Sequence, residues 1–535
     1  MTTRSRKKAP VGVVWFVGAG PGDPALLTVR AAALLAQADV VVHDPGIAEQ
    51  VLAQAGPQAK LVEAGVGDDG EALTHAARAR LAVDAAKEGL GVVRLLEGDP
   101  ALFGGLGEEA ALCAKAKVPF EVVPGVSAVT AVPAYAGLPL TTSTNREVHV
   151  VDAARPGVDW AVHARPDTTL VLVHAVDGMS AVADALVAAG RPASTPVAVT
   201  RAGTTTEQET VTSTLESVAA DLRARRFSGP AVVVVGPVVT SRERLSWFES
   251  KPLFGWRVLV PRTKEQAGAL SELLRTQGAV AEEVPTISVE PPRTAQQMDR
   301  AVQGLVSGRY LWVAFTSVNA VRAVREKFEE YGLDARAFAG VKVAAVGEQT
   351  AAAIRAFGVH PDLVPSGEQS SAGLLADWPE YDDVFDPINR VFLPRADIAT
   401  ETLAAGLVEL GWEVDDVTAY RTVRAAPPPA PVREAIKGGG FDAVLFTSSS
   451  TVRNLVGIAG KPSTSTVIAC IGPQTAKTAE EHGLRVDVLA EKSSVAGLVD
   501  ALAEYGAALR LAAIEAGEPA WRPSQRRTAA RRRAR

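Results

Sequence analysis

Apolar positions along the chain fall in short runs: VGVVWFVG, DVVVHD, GVVRLL, FEVVPG, TLVLVHA and PAVVVVGPVV in the first half, RVLVPR and others in the second. Each is rich in valine and is followed by an Ala/Leu-rich segment whose apolar residues recur at helical spacing. Near-continuous apolar strands are buried on both faces, which predicts mainly parallel α/β sheets. The pattern restarts after Trp256, where RVLVPRTKEQAGALSELLRTQG reads as strand, turn and amphipathic helix ended by Gly278. A domain boundary is therefore expected near 246–256.

The second half repeats itself. AVGEQTAAAIRAFG at 345–358 is answered by CIGPQTAKTAEEHG at 470–483, so Gly347, Gln349 and Thr350 recur as Gly472, Gln474 and Thr475. AFTSVNAV at 314–321 is answered by LFTSSSTV at 445–452, and SSAGLLA at 370–376 by SSVAGLV at 493–499. Self-similarity at a nearly fixed offset means duplicated structural units. Two units do not make a solenoid, so two similar lobes with a cleft between them are expected. Pro291–Pro292 and Pro427–Pro428–Pro429 mark the crossings, because proline cannot donate to a sheet ladder and stiffens linkers.

Composition narrows the class. A chain of 535 residues, 47% hydrophobic and 22% charged, is an ordinary globular protein of several domains. No apolar run approaches the ~18–20 residues of a membrane span, no secretory leader is evident, and the cytoplasm is the expected compartment. Cys113 and Cys470 are too few for a disulfide framework, and no Cys/His cluster has metal-ligand spacing. The net charge of −6 conceals two basic ends: four basic residues in 1–10, and seven arginines in WRPSQRRTAARRRAR. Segments 1–10 and 513–535 are read as disordered, solvated tails. Nothing between them points to nucleic acid.

The candidate chemistry of the first half lies on strand-to-helix turns. GAGPGDP at 18–24 follows VVWFV but carries Asp23 where a dinucleotide fingerprint needs its third glycine. GVVRLLEGDPALFG ends in a Gly-Asp-Pro turn, EVVPGVSAVTAVPAYAGLPLT in a Pro-Gly turn, and TPVAVTRAGTTTEQE places Gly203 after a strand. With the closing Trp247–Phe248, these motifs make residues 11–248 resemble the tetrapyrrole methylases, specifically uroporphyrinogen-III C-methyltransferase. The resemblance implies a two-lobed α/β domain that binds S-adenosylmethionine, commonly as a homodimer. It implies cofactor contacts from Pro21, Gly98, Asp99, Leu102, Ser127, Ala128, His174 and Gly203, and a proton acceptor at Asp44. Glycines would let the backbone approach the cofactor, and helix N-termini would present amides to its carboxylate. There are departures. Glu97 replaces the usual glycine, and Ala64 and Gly65 replace a basic pair. An arginine is missing from FGGLGEE, TSTNR replaces a His-Arg, and His174 replaces a methionine. Fewer cations should weaken the grip on a polycarboxylate, so an active methylase and a degenerate, structural one both stay open.

Residues 256–512 resemble uroporphyrinogen-III synthase, on RVLVPR, FTSVNAV, VAAVGEQTA, TAYRTV, DAVLFTSSSTV and CIGPQTA. The resemblance implies two flavodoxin-like parallel-sheet lobes, 256–290 with 424–512 and 293–420, joined to the methylase by 249–255. It implies cyclisation of hydroxymethylbilane to uroporphyrinogen III without a cofactor, with Tyr420 assisting loss of the terminal hydroxyl. It points to Ser317, Thr350, Ser448 and Thr475 as carboxylate-holding donors. Thr350 and Thr475 can equally be read as helix caps, and Tyr420 as a packed core tyrosine. The combined expectation is a bifunctional tetrapyrrole enzyme. The alternatives are a synthase scaffolded by an inert methylase domain and a non-catalytic tetrapyrrole sensor.

Overall fold

The computed structural model describes residues 11–67, 70–262, 264–518 and 521–525. The basic segment 1–10 and the end of the arginine-rich tail lie outside the described residues. Two compact units divide the chain close to Trp256.

The first unit holds two five-stranded sheets. One runs in the order Lys60–Glu63, Val40–His43, Gly91–Leu96, Val13–Gly18, Phe120–Val123, and every pairing in it is parallel. Its strands alternate between two cores. Val14, Phe16, Val42 and Leu96 pack on one face, and Val17, Val41, Val93 and Leu95 on the other, which is why the strands read as unbroken apolar runs. The second sheet runs Glu147–Asp152, Thr168–Val173, Ala231–Val235, Pro196–Arg201, Glu209–Thr214. Here the expectation of mainly parallel strands fails. Only the first pair is parallel, and the other three pairings are antiparallel. Its strands are also covered on both faces. Burial makes them uniformly apolar whatever their direction, so the pattern could not report polarity.

The second unit holds two further five-stranded sheets. One is ordered Val280–Glu283, Arg257–Val260, Ala443–Phe446, Val467–Cys470, Val488–Leu489. Numbered along the lobe this is 2-1-3-4-5, the doubly wound flavodoxin-like order. The other is ordered Ile287–Glu290, Glu413–Arg424, Arg390–Ala396, Trp312–Phe315, Lys342–Ala345. Residues 287–290, expected in the first lobe, form the strand Ile287–Glu290 and instead pair antiparallel with residues 421–424 of the second sheet. The chain therefore crosses between lobes before Ile287, ahead of the first proline cluster, and again after Arg424, next to the second.

The repeated motifs occupy equivalent places. Ser317 caps helix Val318–Glu330 and Ser448 caps Ser449–Ala459. Ser370 caps Ser371–Ala376 and Ser494 caps Val495–Glu515. Each serine accepts the amide three residues on, which satisfies a donor the helix leaves unpaired. That last helix corrects part of the expected C-terminal tail: it continues to Glu515, and the Ser524 amide donates to Asp442 over 2.9 Å. No helix among the described residues is long and apolar enough to cross a membrane.

Candidate functional site

In the first unit three turns converge because glycine permits it. A Cβ on Gly18 would lie 2.5 Å from Gly125 Cα and 2.6 Å from the Gly98 carbonyl oxygen. Gly98 takes φ +60° and exchanges backbone hydrogen bonds with Gly20. Asp99 ties the arrangement together: its carboxylate accepts from the Ala101 amide at 2.8 Å and the Gly125 amide at 3.0 Å. Asp99 thus spends its side chain on shaping the turn.

Beside these turns opens a cleft of about 290 Å³. Six of the expected cofactor residues line it (Gly98, Asp99, Leu102, Ser127, Ala128 and His174), and Asp44 joins them. Pro21 and Gly203 do not line it. They belong to loops that pack on each other, where the Asp23 amide donates to Thr204 Oγ1 over 3.1 Å. Leu102 and Phe103 stand exposed at the rim, and Phe103 holds a left-handed φ of +63°. His174 is also left-handed, at φ +52°, with Nδ1 2.9 Å from Asp152. Desolvation alone would raise the Asp152 pKa. The hydrogen bond from His174, with the Ala154 amide and nearby positive charge, brings it below the ordinary value.

The cations missing from the primary structure around residue 64 arrive from elsewhere. Arg94, wholly buried in the strand Gly91–Leu96, donates to Asp44 over 2.6 Å and to Glu109 over 2.7 and 3.0 Å. Burial would lower the Arg94 pKa, but the hydrogen bonds and charges of Glu109 and Asp44 outweigh it and raise the value. Arg78 approaches Asp44 at 3.7 Å and His75 approaches Glu109 at 3.4 Å; both also line the cleft. Glu97 adds a third carboxylate to those of Asp44 and Asp99. Partial desolvation and the charge of Asp44 raise its pKa, against the opposing pull of His174 and Arg78. Sequence reading missed Arg94, Arg78, His75, Glu109 and Phe103. The available signal was a lone arginine inside the buried run GVVRLL, which requires a buried acid.

In the second unit the candidate residues stand at the carboxyl ends of strands, where open α/β sheets bind ligands. Ser317 and Thr350 follow neighbouring parallel strands of one sheet, and Ser448 and Thr475 follow neighbouring parallel strands of the other. Neither threonine caps its helix. The N-caps are Gly347 and Gly472, in extended backbone, and Thr350 and Thr475 lie within the first turn, 6% and 5% exposed. Tyr420 is 7% exposed in the core around Phe315 and Val417, and its hydroxyl is 2.9 Å from Ser317 Oγ. Tyr420 is thus a packed core tyrosine whose hydroxyl reaches another candidate residue. Among the described residues no group of His, Cys, Asp and Glu is arranged to hold a metal.

Residues 13–219 match the tetrapyrrole (corrin/porphyrin) methylases, and residues 268–500 match uroporphyrinogen-III synthase HemD. The chain is 32% identical over 508 residues to a porphyrin biosynthesis protein HemD of Ruminiclostridium josui, covering 92% of this chain and 98% of the relative. It is 33% identical over 345 residues to a uroporphyrinogen-III C-methyltransferase of Bacillus subtilis (strain 168), covering 63% and 70%. A solved Thermus thermophilus uroporphyrin-III C-methyltransferase, complexed with S-adenyl homocysteine, is 35% identical over 43% of this chain and 99% of its own, with a TM-score of 0.37. The protein is a fusion of a tetrapyrrole methylase with a uroporphyrinogen-III synthase. It belongs to the family of the porphyrin biosynthesis protein HemD, enzymes of tetrapyrrole biosynthesis.

Proposed function

We propose that the second unit cyclises hydroxymethylbilane to uroporphyrinogen III and that the first unit methylates that product towards precorrin-2. The observation that carries the methylase reading is the convergence of Asp44, Gly98, Leu102, Ser127, Ala128 and His174 on one cleft. The residues present fit S-adenosylmethionine. The glycine cradle leaves room for close approach, the rim supplies apolar contact through Leu102 and Phe103, and the helix starting at Ala128 offers its amide end. When bound, S-adenosylmethionine supplies an electrophilic methyl group. Asp44, held by Arg94, is the acceptor for the proton that the methylated tetrapyrrole must lose. Arg78 gives the cleft positive charge for substrate carboxylates, in place of the basic pair absent at Ala64 and Gly65.

The synthase half needs no cofactor for this reaction. Its donors at the strand ends, Ser317, Thr350, Ser448 and Thr475, hold substrate carboxylates and the leaving hydroxyl. The ring closes inside the enclosing lobes, where water is excluded. The test is to incubate the full chain with hydroxymethylbilane and methyl-labelled S-adenosylmethionine. Labelled product beyond uroporphyrinogen III is expected. Uroporphyrinogen III without label would leave a synthase carrying an inert methylase domain, and the absence of both would leave a binding protein.

A further inference from the structure

The Ser317 hydroxyl has two lone pairs and one proton with which to make hydrogen bonds. The Ala320 amide donates into one lone pair over 3.1 Å, which caps the helix Val318–Glu330. The Tyr420 hydroxyl lies 2.9 Å away. A phenol is a stronger hydrogen-bond donor than an aliphatic alcohol, which favours the arrangement in which Tyr420 donates and fills the second lone pair. Only the O–H of Ser317 is then left to donate. Burial divides the two residues in the same way. Tyr420 is 7% exposed and packed with Phe315, Val417 and Ala419, whereas Ser317 is half-buried at the carboxyl end of the strand Trp312–Phe315.

We propose that Ser317 is the catalytic residue that meets the leaving hydroxyl of the linear tetrapyrrole, and that Tyr420 acts through it as a positioning and proton-supplying residue. This rests on the synthase reading above. In the step, the C–O bond of the terminal hydroxymethyl breaks and both its electrons go to oxygen. That oxygen takes the Ser317 proton and departs as water, while Ser317 takes the proton of Tyr420. The pyrrole nitrogen lone pair stabilises the methylene cation left behind. Formation of the closing C–C bond releases a proton, which returns to the tyrosinate, so the net change is loss of one water. The helix amide on Ser317 polarises the chain of donors in the same direction.

The test is steady-state kinetics and product-isomer analysis on the full chain carrying Ser317→Gly, Ser317→Thr, Tyr420→Phe, and Ser317→Gly with Tyr420→Phe. Glycine keeps the N-cap nearly intact, and melting curves verify that each variant is folded. Ser317→Gly should lower kcat at least about 10-fold with KM within about twofold, as loss of a general acid does. Tyr420→Phe should lose no more than Ser317→Gly, and the double variant should be no worse than Ser317→Gly. Ser317→Thr, which retains both hydroxyl and cap, should keep kcat within about threefold of wild type. A Ser317→Gly enzyme with wild-type kcat beside a crippled Tyr420→Phe would overturn the assignment and put Tyr420 itself on the substrate. So would a raised KM for Ser317→Gly whose effect adds to that of Tyr420→Phe, the mark of a carboxylate holder. A wild-type chain that makes no uroporphyrinogen III would overturn the synthase reading, and the proposal with it.

Discussion

The Arg94 guanidinium donates to the Asp44 carboxylate over 2.6 Å from a wholly buried position, and the same guanidinium makes two bonds to the equally buried Glu109. Removing one member of such a set leaves uncompensated charge in the protein interior. Arg94→Met should therefore cost about 3–5 kcal/mol of stability, read from urea unfolding of the full chain. Methyl transfer should fall about 100-fold, because Asp44 loses the group that fixes its place. Combining Arg94→Met with Glu109→Leu should recover much of the stability and none of the methyl transfer. Recovery of both would mean that Arg94 serves the fold alone.

Glu97 contributes a pH dependence of defined sign. Its folded-state pKa is raised, first by desolvation and then by the charge of Asp44. Between its unfolded value of about 4.3 and the higher folded value, the folded chain keeps a proton that the unfolded chain has released. Stability therefore falls as pH rises through that window. Glu97→Gln removes the titration. Relative to wild type it should be more stable at pH 7, with the advantage vanishing towards pH 4. Unfolding curves at half-unit steps give the result, and a gap independent of pH would contradict it.

Phe103 combines a left-handed backbone with an exposed aromatic ring on the cleft rim. Such a conformation costs a non-glycine residue roughly 1–2 kcal/mol, and an exposed ring returns little of that through burial. Phe103→Gly should stabilise the chain by about 1 kcal/mol and weaken binding of S-adenosylhomocysteine about 10-fold, through lost apolar contact. Calorimetry and a melting curve on the same preparation measure both. Unchanged affinity would remove Phe103 from the cofactor site.

How far the chain could be read before its structure depended on the kind of signal. The duplicated lobes were legible because the same capping serines and GxQT turns recur in the same order after strands, and local chemistry at a helix start is written locally. The glycine turns of the methylase cleft were legible for the same reason. The Asp44–Arg94–Glu109 set was not, because it joins two adjacent strands and a helix, and only their pairing brings the three side chains together. The antiparallel pairings of the second methylase sheet were hidden by burial on both faces. Thr350 and Thr475 read as caps because the helix start is ambiguous by a few residues, and the structure puts glycine at the cap.

That difference between cap and first-turn residue separates Ser448 from Thr475. The Ser448 hydroxyl accepts the Thr451 amide while the Thr451 hydroxyl accepts the Ser448 amide, a reciprocal capping box on the helix Ser449–Ala459. Ser448→Ala should therefore lower stability by about 1 kcal/mol, up to about 2. Thr475 makes no cap bond, so Thr475→Val, which keeps the shape, should change stability by less than about 1 kcal/mol. If Thr475 holds a substrate carboxylate, its loss should appear in binding: KM for hydroxymethylbilane should rise roughly 5- to 10-fold with kcat little altered. Thr350→Val should behave the same way, because it holds the same position in the other lobe. Kinetics on the two single variants and the double give the decisive comparison. Two independent carboxylate contacts should multiply in KM. Wild-type KM values throughout would assign both threonines to packing alone and leave Ser317 and Ser448 as the substrate donors.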